Sequence, residues 1–312
     1  MKTKINWYKI ALFTTLTYCL SWFVSFLLSI NNLDLSQTKT AIFVAVFYMS
    51  MPAISAVIVQ KLIYKQSLKL FGWTFPKKNI KYYLLLPIIL VSIILLTTLI
   101  IYILGNQNVI PNFGKLNFSS ENIVQFLQET LTKKGKNIDL SKTPISKIPP
   151  ILFFILLLVQ GIVVGGIFNV PATFGEEFGW RGILFHETKK MGFWKSSILI
   201  GIIWGIWHFP LIFIGLNYPE NHKIGLLLMT LFTISLSPIF SYIRLKTNSI
   251  LGPSMLHGMI NGSAGIFAIF VANQNELYSS ISGLAGIFGG TIISVSIYLL
   301  DKKNIQKFYS EK

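Results

Sequence analysis

The chain has 312 residues, of which 53% are hydrophobic and only 12% are charged, and its mean hydropathy is +0.62. This composition excludes an ordinary soluble domain and is typical of a membrane protein with several spans. The formal net charge of +16 does not indicate a nucleic-acid-binding protein, because the cations are scattered among loops and form no basic stripe along the sequence.

Runs with few or no charges are long enough to cross about 30 Å of hydrocarbon, which takes roughly 20 helical residues. They lie near 10–30, 41–60, 82–105, 150–175, 196–216, 224–243, 250–273 and 279–300. We therefore predict an all-α, polytopic membrane protein with about eight transmembrane helices. The first run follows lysines, as a signal peptide does, but it lacks a cleavage site of small residues, so we expect a membrane helix there.

The basic residues are distributed unevenly between the two sides of the predicted helices. With a cytoplasmic N-terminus, 19 of the 27 Lys and Arg residues fall on the inner side, and six of the other eight lie in the long loop 106–149. The positive-inside rule therefore favours a multi-pass protein of the cell membrane with both termini in the cytoplasm. The single cysteine, Cys19, excludes an intrachain disulfide and a cysteine-based metal site, and we expect it to be a packing residue.

The N-terminal region, 1–149, combines bulky helices that look peripheral with the outer segment 106–149. Within that segment, apolar residues follow a serine at helical spacing in SSENIVQFLQETL, residues 119–131. We expect an amphipathic helix on the outer surface there, with a substrate lid as the alternative.

The second predicted region is C-terminal and spans 150–312. Small residues recur in its spans at four-residue spacing, a pattern that lets membrane helices approach closely. They are Gly161 and Gly165, Gly201 and Gly205, and Ser254, Gly258 and Gly262.

A few ionisable side chains lie within or against the apolar runs of this region, namely Glu176, Glu177, Arg181, His208 and His257. A charged group near the centre of a membrane helix costs at least about 2.5 kcal/mol, so these residues are candidates for function. Glu177 and Arg181 are four residues apart and can pair on a helix. His257 and Asn261 share that spacing and project from one helix face.

Each of these residues also has a structural interpretation. Thr173 and Glu176 have the spacing of a capping box, so Glu176 could mark only the start of a helix. The pair Glu177 and Arg181 could be a structural ion pair, and the histidines and Asn261 could serve only as interhelical hydrogen-bonding groups. Pro210 is expected to kink or end the helix near His208.

Together, the polar groups of the three spans suit the hydrolysis of a peptide bond. A carboxylate and a histidine can activate a water as general base and acid. A second histidine and an amide can donate hydrogen bonds to the oxyanion that develops. Such a reaction needs no covalent nucleophile, and the sequence has no Gly-x-Ser-x-Gly elbow.

Three motifs, in order along the chain, resemble those of a known family. EEFGWR (176–181) is similar to Glu-Glu-x-x-x-Arg, WGIWH (204–208) to Phe-x-x-x-His with Trp in the place of Phe, and HGMIN (257–261) to His-x-x-x-Asn. These are motifs of the CPBP family, which comprises the type II CAAX prenyl endopeptidases and their bacterial relatives, the Abi proteins. The resemblance covers about residues 170–265.

The resemblance implies an intramembrane endopeptidase that cleaves a membrane-associated or lipidated, CAAX-like protein or peptide. It also implies that residues 150–312 are a CPBP-like catalytic core with a polar catalytic cavity. At the matching positions, Glu176 and His208 would activate the attacking water, His257 and Asn261 would stabilise the oxyanion, and Glu177 and Arg181 would support the site. The resemblance implies that no cofactor is needed, with zinc as the alternative. If zinc is bound, Glu176, His208 and His257 would be its ligands.

The expected partners are a membrane-tethered protein or peptide substrate and the lipid bilayer, and not nucleic acid. The predicted topology favours a cavity that opens toward the cytoplasmic leaflet. Processing of a peptide pheromone or bacteriocin, or immunity to one, is compatible with the same site. Two other classes stay open: a membrane immunity or scaffold protein that binds without cleaving, and a transporter that uses Glu176, His208 and His257 as a relay.

Overall fold

The computed structural model describes residues 5–35, 37–133, 135–136 and 138–310. Some of the basic residues counted for the topology lie outside the described residues, namely Lys2, Lys4, Lys134 and Lys312. Helices dominate the described part of the chain, which confirms the all-α prediction.

The α-helices of the N-terminal region are α1 (Trp7–Ile30), α2 (Thr38–Phe43), α3 (Met51–Val57), α4 (Leu85–Ile101) and α5 (Ser120–Lys133). Several of them continue into π-helical segments, at Val44–Tyr48, Ile58–Ile63 and Tyr102–Asn106. Short 3₁₀ segments precede α4, at Leu68–Phe71 and Lys77–Leu84, and follow α5, at Leu140–Lys142 and Pro144–Lys147.

The α-helices of the C-terminal region are α6 (Pro150–Gln160), α7 (Gly166–Phe168), α8 (Val170–Glu177), α9 (Phe185–Thr188), α10 (Phe193–Trp207), α11 (Phe209–Phe213), α12 (His222–Thr247), α13 (Leu251–Ser263), α14 (Ile266–Phe270), α15 (Leu284–Leu300) and α16 (Lys302–Ser310). Further segments are the π-helical Gly161–Gly165 and Phe178–Leu184 and the 3₁₀ segment Lys189–Met191. Two short strands, β1 (Lys115–Leu116) and β2 (Val271–Ala272), pair antiparallel.

Within the described ranges, five helical stretches are long and apolar enough to cross a membrane, or six if the bent pair α15 and α16 forms one span. The five are Trp7–Ile30, Thr38–Ile63, Lys77–Asn106, Pro150–Phe168 and His222–Thr247. The molecule is therefore a multi-pass membrane protein, but the predicted number of eight spans is not confirmed.

Two of the predicted runs are broken. The run at 196–216 divides into α10 and α11 at His208, as Pro210 predicts, because proline cannot donate to the preceding turn. In the run at 250–273, α13 ends at Ser263, and the chain passes through α14 into β2. Pairing of β2 with β1 requires an extended backbone there, so this run is no single helix of full length.

The predicted faces of small residues do bring helices together. A Cβ added at Gly165 would lie 2.6 Å from the carbonyl oxygen of Gly258, and one added at Gly258 would lie 2.3 Å from the carbonyl oxygen of Gly165. Gly205 likewise lets α10 approach α12, because a Cβ added at Gly205 would lie 2.6 Å from the Cα of Thr230. Side chains at these positions would force the backbones apart, so α13 and α10 owe their positions to glycine.

The predicted amphipathic helix of the outer segment is α5, and protein contacts hold it in place. The amide of Asn122 donates to the carbonyl oxygen of Ile269 at 2.7 Å, which joins α5 to α14. The pairing of Lys115 with Ala272 and of Leu116 with Val271 joins the same segment to β2. The outer segment is thus fixed to the chain that follows α13.

The first helix is tied into the core at one end. Lys9, only 2% exposed, donates from Nζ to Glu187 Oε1 at 2.7 Å and to Gln66 Oε1 at 2.9 Å. The expectation that Cys19 is a packing residue is wrong, because Cys19 is exposed. The buried face of α1 includes Thr17, and a residue two positions further along a helix points to the opposite side.

Candidate active site

Glu176 lies in the last turn of α8 and is only 2% exposed. The capping-box interpretation of this residue is wrong, because α8 begins earlier, at Val170, with a proline in its first turn. Thr173 is therefore inside the helix, and its hydroxyl donates to the carbonyl oxygen of Ser254 at 2.8 Å. Glu176 is free of any capping role.

Two indole groups hold the carboxylate of Glu176. Nε1 of Trp204 donates to Oε2 at 2.9 Å, and Nε1 of Trp180 donates to the same oxygen at 3.4 Å. Because both donors bond Oε2, the carboxylate is fixed in orientation and Oε1 is left for a ligand in the cavity. An N–H bond to an ionised carboxylate is stronger than one between neutral groups.

Glu177 and Arg181 form the ion pair that their spacing permits, and both side chains are fully buried. Nη1 of Arg181 lies 3.2 Å from Oε1 and 3.1 Å from Oε2 of Glu177. The guanidinium also lies over the rings of Trp204 and Phe240, at 4.8 and 4.5 Å from the centroids. The carboxylate of Glu177 and the two aromatic faces together offset the cost of burying the Arg181 cation.

Glu177 has a second partner that the sequence did not reveal. Nδ1 of His257 lies 3.0 Å from Oε1 of Glu177. A carboxylate accepts hydrogen bonds, so we assign a proton to Nδ1, and Nε2 is the nitrogen left for the cavity.

His208 occupies the break between α10 and α11. Its Nδ1 lies 2.8 Å from the carbonyl oxygen of Trp204. A carbonyl oxygen can only accept, so Nδ1 carries the proton and the neutral ring presents Nε2 as an acceptor. Such a nitrogen can take a proton from a water molecule.

Side chains from the N-terminal region donate hydrogen bonds to the backbone carbonyl group at this break. The hydroxyl of Tyr48 donates to the carbonyl oxygen of Trp207 at 2.5 Å, and Nε1 of Trp22 donates to it at 3.2 Å. In a membrane, a carbonyl group released by a helix break needs such partners, because lipid offers none. Tyr48 and Trp22 therefore stabilise the bend that positions His208.

His257 and Asn261 lie on α13, four residues apart, and both line the same cavity as Glu176 and His208. The ring of Trp204 lies among them, with its centroid 5.3 Å from that of His257 and 5.9 Å from that of His208. The structure thus brings together the four predicted catalytic residues, while Glu177 and Arg181 lie behind them.

The cavity has a volume of about 260 Å³, and one part of its wall is apolar. The apolar wall consists of Leu211, Leu216, Met229, Phe232, Leu236, Phe240, Ile260 and Ile281. The lining residues with the greatest exposure are Asn217, Asn261 and Ala264, which we call the mouth. A membrane-held segment with apolar side chains suits such a wall.

The opening of the cavity toward the cytoplasmic leaflet stays a prediction, and the structure shows where the exposed lining residues lie in the bundle. Asn261 and Ala264 lie near the end of α13 that leads to the outer segment. On the other side of Glu176, the bundle is closed by fully buried Arg181 and by Arg244, which is 7% exposed and donates to the carbonyl oxygens of Arg181 and Phe71. These long cationic side chains fill that part of the bundle.

Sequence reasoning missed three contributors to the site. Trp180 and Trp204 hold Glu176, and Tyr48 both lines the cavity and bonds the break at Trp207. Trp204 was visible as the aromatic position of its motif, but its hydrogen bond was not. Tyr48 lies in an apolar run and gave no signal.

The alternative zinc site has no support from the side-chain geometry. In the part of the chain that the structure describes, no group of three or more His, Cys, Asp or Glu side chains is arranged to hold a metal ion. Glu176, His208 and His257 share the cavity without forming such a group. We therefore derive no step through a metal.

Comparison with known proteins agrees with this geometry. Residues 148–263 match the family described as type II CAAX prenyl endopeptidase Rce1-like. The matched segment contains every predicted site residue. Over these residues the chain is therefore similar to the type II CAAX prenyl endopeptidases of the CPBP family, and we call this similarity the CPBP match.

The chain is also similar to a curated protein. CAAX prenyl protease 2 of Methanococcus maripaludis is 35% identical over 126 residues, which are 38% of this chain and 41% of that protein. The chain thus covers less than half of the length of this relative. The CPBP match begins two residues before α6, so α1 to α5 lie outside it.

Proposed function

We propose that this chain is an intramembrane endopeptidase that hydrolyses a peptide bond of a membrane-associated protein or peptide. The observation that carries this proposal is the convergence of Glu176, His208, His257 and Asn261 on one cavity of about 260 Å³. The CPBP match and the name of the relative support the same class of reaction. Residues 150–312 would be the catalytic core.

In this mechanism, Glu176 and His208 activate a water molecule. The water would lie between Oε1 of Glu176 and Nε2 of His208, the two acceptors that their other hydrogen bonds leave for the cavity. One of them takes a proton as the water oxygen bonds to the carbonyl carbon of the scissile peptide. The proton then passes to the leaving nitrogen as the carbon–nitrogen bond breaks.

The oxyanion would be stabilised by His257 and Asn261. To donate from Nε2 while Nδ1 donates to Glu177, His257 has to be an imidazolium. The charges of Glu176, Glu177, Arg181 and His257 then sum to zero, which makes a protonated His257 compatible with this buried group. The amide of Asn261 supplies a second donor from the same helix face.

The substrate would be held by the membrane. The apolar wall of the cavity suits a lipidated or apolar segment. A CAAX-like lipidated protein is one such substrate, and the name of the relative, CAAX prenyl protease 2, supports it. Abi-type processing of a peptide pheromone or bacteriocin is another. We further propose that both termini are cytoplasmic and that no cofactor is required.

The test is cleavage of membrane-tethered peptides by the purified chain in liposomes. We expect Glu176→Gln and His208→Ala to remain folded and to lose cleavage, whereas Glu129→Gln, on the exposed face of α5, keeps it. Unchanged cleavage by Glu176→Gln would exclude Glu176 as the base. Binding of the peptide without cleavage by the unmodified chain would favour the scaffold or immunity class.

Metal dependence is tested in the same assay. We expect a chelator titration to leave cleavage unchanged. Loss of cleavage that added zinc restores would contradict the metal-free mechanism.

A further inference from the structure

Three side chains along α8 contact α13. They belong to Asn169, directly before α8, and to Thr173 and Glu177 within it. Residues four positions apart in a helix lie on the same face, so these side chains form one row, which we call the α8 stripe. Of the three residues, only Glu177 is part of the motif EEFGWR.

Two residues of the α8 stripe donate hydrogen bonds to backbone carbonyl groups of α13. The hydroxyl of Thr173 donates to the carbonyl oxygen of Ser254 at 2.8 Å. The amide of Asn169 donates to the carbonyl oxygen of Gly258 at 3.2 Å. Ser254 precedes His257 by three residues, and Gly258 follows it directly. The two bonds therefore hold the backbone of α13 on both sides of this histidine.

The third residue of the stripe binds the histidine itself. Oε1 of Glu177 lies 3.0 Å from Nδ1 of His257. Side chains of a helix lean toward its N-terminus, so the ring of His257 lies over the preceding turn, which contains Ser254. The bond between Glu177 and His257 thus forms beside the turn that Thr173 holds, and a shift of α13 along α8 would change its length.

The hydroxyl of Thr173 does not need α13 as a partner. Threonine within a helix can donate to a carbonyl oxygen of its own preceding turn, and that of Asn169 lies 3.1 Å from Oγ1. The carbonyl oxygen of Ser254 is closer, at 2.8 Å, and Thr173 is fully buried. The bond to α13 therefore adds a directional contact to a hydroxyl that its own helix could satisfy.

From these contacts, we propose that Asn169 and Thr173 are positioning residues for His257. They hold α13 so that Nδ1 of His257 stays at Glu177 and Nε2 points to the developing oxyanion. This inference rests on the proposed function and adds two residues to its site. Both lie outside the residues that line the cavity, so they act through His257 and touch no reacting atom.

Glycine packing alone does not give this precision. The contact between Gly165 and Gly258 lets the two backbones approach, but close packing of small residues leaves sliding and rotation less restricted than hydrogen bonds do. Catalytic groups are sensitive to such movements, since a misplacement of about 1 Å can slow a reaction about a hundredfold. The stripe therefore supplies the register of α13, whereas the glycines supply its distance.

Cleavage kinetics of liposome-embedded variants provide the first test. Thr173→Val removes the hydroxyl and keeps the shape of the side chain. We expect kcat to fall about tenfold, or about 1.4 kcal/mol of transition-state stabilisation, because His257 is displaced. We expect KM to change by less than about twofold, because the apolar wall still binds the peptide. Thr173→Ser keeps the hydroxyl and should restore most of kcat.

A matched threonine separates positioning from general stability. Thr97 of α4 is also fully buried, and its hydroxyl donates to the carbonyl oxygen of Ile93 in its own helix at 2.8 Å. We expect Thr97→Val to leave kcat unchanged. An equal fall in kcat for Thr97→Val and Thr173→Val would overturn the inference, as would failure of Thr173→Ser to restore the rate.

Asn169 provides a second and milder variant. Asn169→Leu removes the amide donor with little change in volume. The bond of Asn169 is longer than that of Thr173, and its side chain is only half-buried, so we expect a smaller fall in kcat with KM again unchanged. A fall in KM affinity without a change in kcat would contradict a role through His257.

Nuclear magnetic resonance of isotope-labelled histidine tests the contact without any substrate. The chain has four histidines, so the resonance of the Nδ1 proton of His257 is identified by its loss in His257→Gln. We expect Thr173→Val to shift or broaden this resonance, and Thr173→Ser and Thr97→Val to leave it in place. An unchanged resonance in Thr173→Val would overturn the inference. If the resonance responds as expected and the unmodified chain cuts no peptide, the proposed function fails while the positioning of His257 stands.

Discussion

Oε1 of Glu177 accepts hydrogen bonds from both Nδ1 of His257, at 3.0 Å, and Nη1 of Arg181, at 3.2 Å. One carboxylate oxygen thus joins a buried ion pair to a candidate oxyanion donor. Glu177 has more than a supporting role, since it fixes the orientation of the His257 ring. The two glutamates of EEFGWR face different partners, with Glu176 held by the indoles of Trp204 and Trp180.

The first prediction concerns this ion pair. We expect Arg181→Met to lower the free energy of unfolding by about 3–5 kcal/mol, because it leaves the charge of Glu177 buried without its partner. The measurement is thermal or denaturant unfolding of the detergent-solubilised protein.

The matched control removes both charges. In the double variant Glu177→Gln, Arg181→Met, neither group is left unpaired, so we expect a loss smaller than the sum of the two single losses. Additive losses would show that the pair is not coupled.

The second prediction concerns the donors to Glu176. We expect Trp204→Phe to slow cleavage about tenfold or more, since a hydrogen bond to a charged group contributes about 1.5–3 kcal/mol. Trp180→Phe removes the longer bond to the same oxygen and is expected to slow cleavage less. Initial rates of the folded variants provide the comparison. A larger effect of Trp180→Phe would contradict the assignment of Trp204 as the main donor.

The third prediction concerns Tyr48. We expect Tyr48→Phe to lower stability by about 1 kcal/mol, the usual net contribution of a hydrogen bond, and also to reduce cleavage, because the bend at His208 loses a donor. Tyr18→Phe is the control: its hydroxyl donates to the carbonyl oxygen of Ile203 at 2.6 Å, one turn earlier in α10. That variant should lose similar stability and retain more cleavage activity. Equal rates for the two variants would mean that Tyr48 acts on the fold alone.

The fourth prediction concerns the glycine contact that positions α13. We expect Gly165→Ala to destabilise the protein by about 1–3 kcal/mol and to reduce cleavage, because α13 has to move away and carries His257 and Asn261 with it. Gly265→Ala adds the same methyl group where nothing lies within 4 Å and should change neither property. Unfolding experiments measure the stability of both variants, and initial rates measure their cleavage. If Gly165→Ala changed neither property, the close contact between Gly165 and α13 would be contradicted.

Local spacing predicted those parts of the site that depend on one helix. Glu177 pairs with Arg181, and the helix breaks near Pro210, because both effects act within about one turn. The recurring glycines predicted close packing for the same reason. The motif resemblance named the residues on three helices, and the structure brings them to one cavity.

Contacts between distant segments could not be predicted from the sequence. Glu177 and His257 are 80 positions apart, and Trp204 is 28 positions from Glu176, so their bonds depend on how α8, α10 and α13 pack. The interruption of the run at 250–273 depends on β1, far earlier in the chain. Hydropathy measures composition and is insensitive to such a strand, so it predicted a continuous helix.

The ties between α1 and the rest of the bundle limit how the molecule can be divided. The CPBP match covers residues 148–263. Lys9, which donates to Glu187, lies outside it, as do Trp22 and Tyr48, which donate to the carbonyl oxygen of Trp207. An excised fragment would expose an unpaired acid at Glu187 and a bare carbonyl group at its own bend. Side chains of the earlier helices therefore complete the hydrogen bonding of the segment that carries the family motifs.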